Sequence, residues 1–156
     1  MGSEFTHLDD KGSARMVDVS SKDVSSRTAT ATGFVRLSAA CVEMLRAGDI
    51  PKGDALSVAR IAGIMGAKRV PDLVPLCHPI ALHGVTVDLD IRDEGVAITA
   101  VTRTADRTGV EMEALTSVSV AALALVDMVK AIDPAAVITD VRVEEKTGGK
   151  TGAWRR

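Results

Sequence analysis

Asp127 and Lys130 stand three residues apart, the spacing at which a carboxylate and an ammonium meet across one helical turn. Asp127 falls near the C-terminal end of the helix predicted for its segment, where the macrodipole disfavours a carboxylate. Two uses account for it: a structural pair with Lys130, or proton transfer at a bound substrate. At the other end of the segment Glu111 and Glu113 fill the first turn, where the dipole favours negative charge. Lys52 comes just before Asp54, a good cap for a helix start. A cation there opposes the dipole, so it is either a solvated loop lysine or one wall of a phosphate site completed by helix amides. Cys77 and His78 lie in VPDLVPLCHP, where Pro71, Pro75 and Pro79 forbid regular helix. The stiff backbone pre-orders His78 for chemistry, or holds it as a structural residue. Two adjacent ligands without a second pair make a poor zinc signal, so no metal site is expected. Lys146 and Lys150 sit in KTGGKTG, which imitates a phosphate loop but has Glu144 where the leading Gly belongs.

Few elements are needed to position these groups. Residues 111–132, EMEALTSVSVAALALVDMVKAI, place Leu115, Val118, Ala122, Leu125, Val126, Val129 and Ile132 on one face, predicting a helix about 33 Å long that stops at Asp133-Pro134. A second helix is predicted over Ala55–Lys68 and a short one over Ser38–Ala47, ended by Gly48. The alternation in Arg27–Leu37 predicts a strand, with Gly33 marking a bulge or a close approach. His83–Ile91 and Val96–Arg107 predict a hairpin turned by DEG, and Val137–Glu145 a last strand. That order predicts an α+β split β-α-β sandwich, an antiparallel sheet with helices on one face. Met1–Arg15, MGSEFTHLDDKGSAR, is expected to be a disordered cloning leader ahead of a natural start at Met16. Residues 16–156 are then one domain, with a mobile basic tail from about residue 146.

Composition narrows the function. Aromatic residues make up 2% of the 156 residues, with no Tyr, which removes the stacking platforms of a single-strand nucleic-acid binder. The net charge of −2 argues against a general polyanion surface, so neither nucleic acid nor membrane is expected as a partner. Cys41 and Cys77 lie too far apart in sequence for a paired motif and fit reduced thiols of a cytoplasmic protein. Cores built from Ala and Val commonly finish their burial against another subunit, which points to an oligomer.

Six stretches in order, MVDVSSK, KGDALSVARIAGIMGAK, LVPLCHP, RTGVEMEALTSVSVAAL, VDMVKA and EKTGGKTG, closely resemble the cyclic pyranopterin monophosphate synthase family of molybdenum cofactor biosynthesis. The resemblance spans Met16 to Gly152. It departs at Gly66, where Ala is more usual, at Val70-Pro71, and at Val126 and Val129. It implies a ferredoxin-like fold and a hexamer arranged as a trimer of dimers. It also implies a lyase that converts a GTP-derived triphosphate, a cyclised dihydro-GTP, into a pyranopterin with a cyclic phosphate and releases diphosphate. On the matching motifs, Asp127 is the catalytic aspartate, with Lys52 and Lys130 as its lysine partners. Leu76, Cys77, His78, Glu111, Met112, Glu113 and Lys146 fall at substrate contacts. No cofactor is expected beyond Mg²⁺ accompanying the triphosphate.

One inference needs no family. Glu113 and Asp127 are fourteen residues apart, about 21 Å along a helix axis, too far for one nucleotide-sized ligand to bridge. The site is therefore expected to be shared, Asp127 and Lys130 of one subunit meeting His78, Met112 and Glu113 of another. Two rivals stand beside an enzyme: a non-catalytic nucleotide-binding regulatory module, and an assembly protein whose long helix is only a seam.

Overall fold

The structure is a computed structural model that describes residues 6–156. Four long strands and two long helices build it. They are β1 (Ser25–Arg36), α1 (Ala39–Ala47), α2 (Ala55–Ala67), α3 (Val70–Leu73), β2 (Leu82–Arg92), β3 (Gly95–Asp106), α4 (Glu111–Val129) and β4 (Val137–Thr147), followed by the short β5 (Trp154–Arg155). The sheet order is β2-β3-β1-β4-β5, with every neighbouring pair antiparallel. This is the ferredoxin-like split β-α-β arrangement, with one short strand added at the β4 edge.

The inward positions of β1 are small: Ala29, Ala31 and Gly33 precede Val35, and the three with side chains are fully buried. Small residues let α4 lie close to the sheet. A Cβ on Gly33 would stand 2.6 Å from a methyl of Val118 on α4, so the glycine there is a close approach. The β1–β4 register also shifts between Thr32 and Phe34, so the predicted irregularity is present as well. Gly66 does for the α2–α4 contact what Gly33 does below it, since an added Cβ would meet Val120 at 2.8 Å. Val118, Ala121, Ala122, Leu125 and Val129 of α4 close the core over Ile98 and Ala100 of β3. By length and mean hydropathy, 1.7 over its apolar window, α4 would suit a membrane span. Its apolar face is instead spent on the sheet and on α2.

Three elements differ from expectation. α4 ends at Val129 rather than Ile132, where the Ile132 amide takes a tighter bond to the Val129 carbonyl three residues back and the chain turns toward Pro134. Asp133 then serves an earlier element, accepting from the Ser38 amide at the start of α1, and also accepts from the Ala135 amide. The proline loop contains a helical turn, α3, with Pro71 in its first turn, where a missing N–H costs nothing. The basic segment continues β4 through Thr147, turns on Gly148 and Gly149 at φ 87° and 80°, and returns as β5 beside Glu145 and Lys146. The first five residues of the leader lie outside those described. Thr6–Arg15 is an exposed turn in which Asp9 accepts from the amides of Lys11 and Ser13.

Candidate active site

The two ends of α4 carry different chemistry. At its C-terminal end Lys130 donates to Asp127 Oδ1 at 2.8 Å. Lys52 reaches across from the loop before α2, donating to the Asp127 carbonyl oxygen at 2.9 Å and lying 3.5 Å from Oδ1. Asp54 caps α2 by accepting from the Ser57 amide, which fixes the loop that delivers Lys52. The hydrogen bond from Lys130, then the charges of Lys130 and Lys52, hold the Asp127 carboxyl below the usual carboxylate range. The Asp127 side chain is 59% exposed, so the trio faces outward as a carboxylate between two ammoniums.

At the N-terminal end, Glu111 pairs with Lys146 of β4 at 3.0 Å. The pair lies in a cleft of about 920 Å³ whose rim includes Lys22, Arg27, Gly149 and Lys150. A second cavity of about 250 Å³ lies between Lys68, Pro71, Pro79, Ile80, Leu82 and Glu113. Glu113 is only 2% exposed, and burial, aided by the charge of Glu111, pushes its carboxyl up to about 7. Burial also raises the Cys77 thiol, followed by the charges of Glu113 and Glu111, so Cys77 is held as a thiol. His78 bonds through Nε2 to the carbonyl of Val17. Leu76 is half-buried in the same loop, and Met112 is exposed on the first turn of α4. Among the described residues, no three His, Cys, Asp or Glu side chains gather as a metal site requires.

The chain thus gathers Lys52, Asp127 and Lys130 at one end. Glu111, Glu113, Cys77 and Lys146 gather at the other, with about 21 Å of helix axis between Glu113 and Asp127. No single ligand within one chain spans both groups.

Residues 16–149 match the MoaC family. The chain belongs to that family. A cyclic pyranopterin monophosphate synthase of Streptomyces coelicolor is 67% identical over 152 residues, which cover 97% of this chain and 89% of the relative. One of the same name from a Nocardioides species is 64% identical over 155 residues, 97% and 95% of the two chains. A cyclic pyranopterin monophosphate synthase 2 of Mycobacterium tuberculosis is 56% identical over 153 residues, 98% and 92%.

In this MoaC-family chain the cationic cleft joins Lys150, already marked in the basic tail, to Lys22 and Arg27, which were not site candidates from the sequence. Lys22 precedes β1, Arg27 lies near the start of that strand and Lys150 lies in the turn after β4, so the three converge only once β1 and β4 pair. Arg27 is steadied by donating from Nε to the Asp106 carbonyl. Lys68, just past α2, lines the smaller cavity beside Glu113. No local spacing pattern marks Lys22, Arg27 or Lys68. Lysine and arginine heads, together with the glycine turn, make the larger cleft suited to phosphate oxygens.

Proposed function

We propose that this chain is a cyclic pyranopterin monophosphate synthase. It acts on (8S)-3',8-cyclo-7,8-dihydroguanosine 5'-triphosphate and yields cyclic pyranopterin monophosphate with release of diphosphate, as a lyase of molybdenum cofactor biosynthesis. The observation that carries the reading is the Lys52–Asp127–Lys130 trio, a carboxylate kept ionised between two proton donors. Asp127 accepts protons from the substrate and the lysines return them or balance charge on phosphate oxygens. Leu76, Cys77, His78, Glu111, Met112, Glu113 and Lys146 hold the substrate, its phosphates lying toward Lys22, Arg27 and Lys146.

The working form in this reading is a homo-oligomer in the cytoplasm, a hexamer built as a trimer of dimers, with each site completed by a second subunit. The separation of the two clusters along α4 supports sharing. Exposed Val58, Ile61 and Met65 on α2 and Leu123 on α4 support association, because they leave apolar area in solvent. Mg²⁺ enters with the triphosphate, and no resident cofactor is required.

Incubation with the cyclised substrate, followed by measurement of diphosphate and of the pterin absorbance, tests the activity. Binding without diphosphate release would mark a regulatory module instead. Dialysis against a chelator should leave the protein competent once Mg²⁺ and substrate are added back together.

A further inference from the structure

One carboxyl at the start of α4 has nothing to bond to. Both oxygens of Glu113 are buried, and neither has a hydrogen-bond partner. The side chain forms a wall of the smaller cavity, whose other walls are the apolar faces of Ala67, Pro71, Pro79, Ile80 and Leu82, with Lys68 at its edge. Three titratable groups lie around it. Lys68 on the α2 side makes no ion pair with it. Glu111 in the same turn is engaged by Lys146. Cys77 in the proline loop is held as a thiol. Glu111 would repel a charge on Glu113, and only the residue's own backbone amide works against its burial. An ionised carboxylate in this place is unpaired and dry, which is the costly case.

A neutral carboxyl offers a different pattern to a ligand. Ionised, it only accepts. Protonated, it donates through O–H and accepts through its carbonyl oxygen. The first form matches two neighbouring ring N–H groups, and the second matches a ring carbonyl beside an N–H. The cavity, about 250 Å³, falls below the range usual for a whole small-molecule ligand, so it suits a ring rather than a complete nucleotide. In the function proposed above the larger cleft, walled by Glu111 two residues earlier, is the place for the phosphates.

We propose that Glu113 works as a neutral carboxylic acid that reads the amide-like edge of a purine-derived ring, its O–H donating to the ring carbonyl oxygen while its own carbonyl oxygen accepts the adjoining ring N–H. This deepens the function proposed above and rests on it for the identity of the ring. Glu113 is then a specificity residue, and recognition fails as the acid ionises. Because burial already places its titration at about 7, ligand affinity falls by about tenfold per pH unit above neutrality until another group takes over.

The test uses the assembled protein. Difference infrared spectra between about pH 5 and about pH 9 should show the carbonyl stretch of a protonated acid that titrates near neutrality and is missing from Glu113→Gln. GTP serves as a guanine-bearing probe in calorimetric titrations. Glutamine keeps a donor and an acceptor in place, so Glu113→Gln should hold the low-pH affinity of the native protein and lose the alkaline fall. The ratio of the two affinities cancels ionisation of the nucleotide. A carboxylate ionised across the whole range in the assembled protein overturns the proposal. So does a Glu113→Gln variant as weakened at every pH as Glu113→Ala, or native protein that does not bind GTP. Turnover of the cyclised substrate is measured alongside. Normal turnover with an ionised Glu113 rejects this inference alone, whereas absent turnover rejects the proposed activity while the infrared titration still reports the acid.

Discussion

Two carboxylates on one helix have been sent in opposite directions by their surroundings. Asp127 stands in water between two ammoniums and is held ionised, while burial moves the titration of Glu113 up to about 7. Asp127→Asn keeps the shape and removes the proton acceptor, so kcat should fall by about a hundredfold or more, read by diphosphate release. Its melting temperature should barely move, because an exposed ion pair contributes little to stability. Glu113 should leave its mark on stability instead. The folded chain holds its proton up to about 7, against 4.5 ordinarily, so between those values the folded state carries a proton that the unfolded state has lost. The resulting stabilisation is full below the lower value and disappears as pH rises through the upper one, a change of about 3 kcal/mol. Denaturation curves at a series of pH values should show that decline in the native protein and a flatter profile in Glu113→Gln. The residue types were legible in sequence, Asp127 as a candidate from spacing and dipole, Glu113 only from the family resemblance, since the dipole alone accounted for it as a matched helix end. Their opposite directions were not legible, because they depend on cavity walls drawn from α2, the proline loop and β2.

The elements were readable where local periodicity governs them and obscure where a distant partner does. α4 and the β2–β3 hairpin follow their patterns almost to the residue. The helix stops three residues early, and Asp133 just beyond it is held to the start of α1, a contact across ninety-five positions that no window reveals. The tail was read as a loose arm because its glycines and lysines lack periodicity, yet edge pairing with β4 gives it a strand. Gly33 offers the sharpest test of how these elements fit. An alanine methyl there would overlap Val118, a side chain stiff at its first torsion. Gly33→Ala should therefore lose about 1–3 kcal/mol in chemical denaturation. Val118→Ala, destabilising alone, should restore part of that loss in the double variant, and simple additivity of the two would contradict the packing described.

The whole chain poses a geometrical problem that its own fold cannot solve. The groups proposed for proton transfer and those proposed for substrate binding sit at opposite ends of α4, and a helix packed on a sheet does not bend to join them. The cationic cleft likewise exists only after Lys22 and Arg27 are brought beside Lys146 and Lys150 by the β1–β4 pairing, which is why charge runs in the sequence did not disclose it. In the proposed assembly a second copy related by a two-fold axis supplies the missing half by symmetry, giving two equivalent sites per pair. Mixed assemblies test this directly. Asp127→Ala and His78→Ala proteins should each be nearly inactive. In hybrids of the two, half of each protomer's contributions are intact, and a site is whole only when Asp127 and His78 both come from the unmutated side. Random mixing in equal amounts should therefore restore about a quarter of native activity. Both groups acting on one ligand within a single chain would leave every site in the hybrid defective, and diphosphate release would then stay at the level of the parents even though native mass spectrometry shows the hybrids forming.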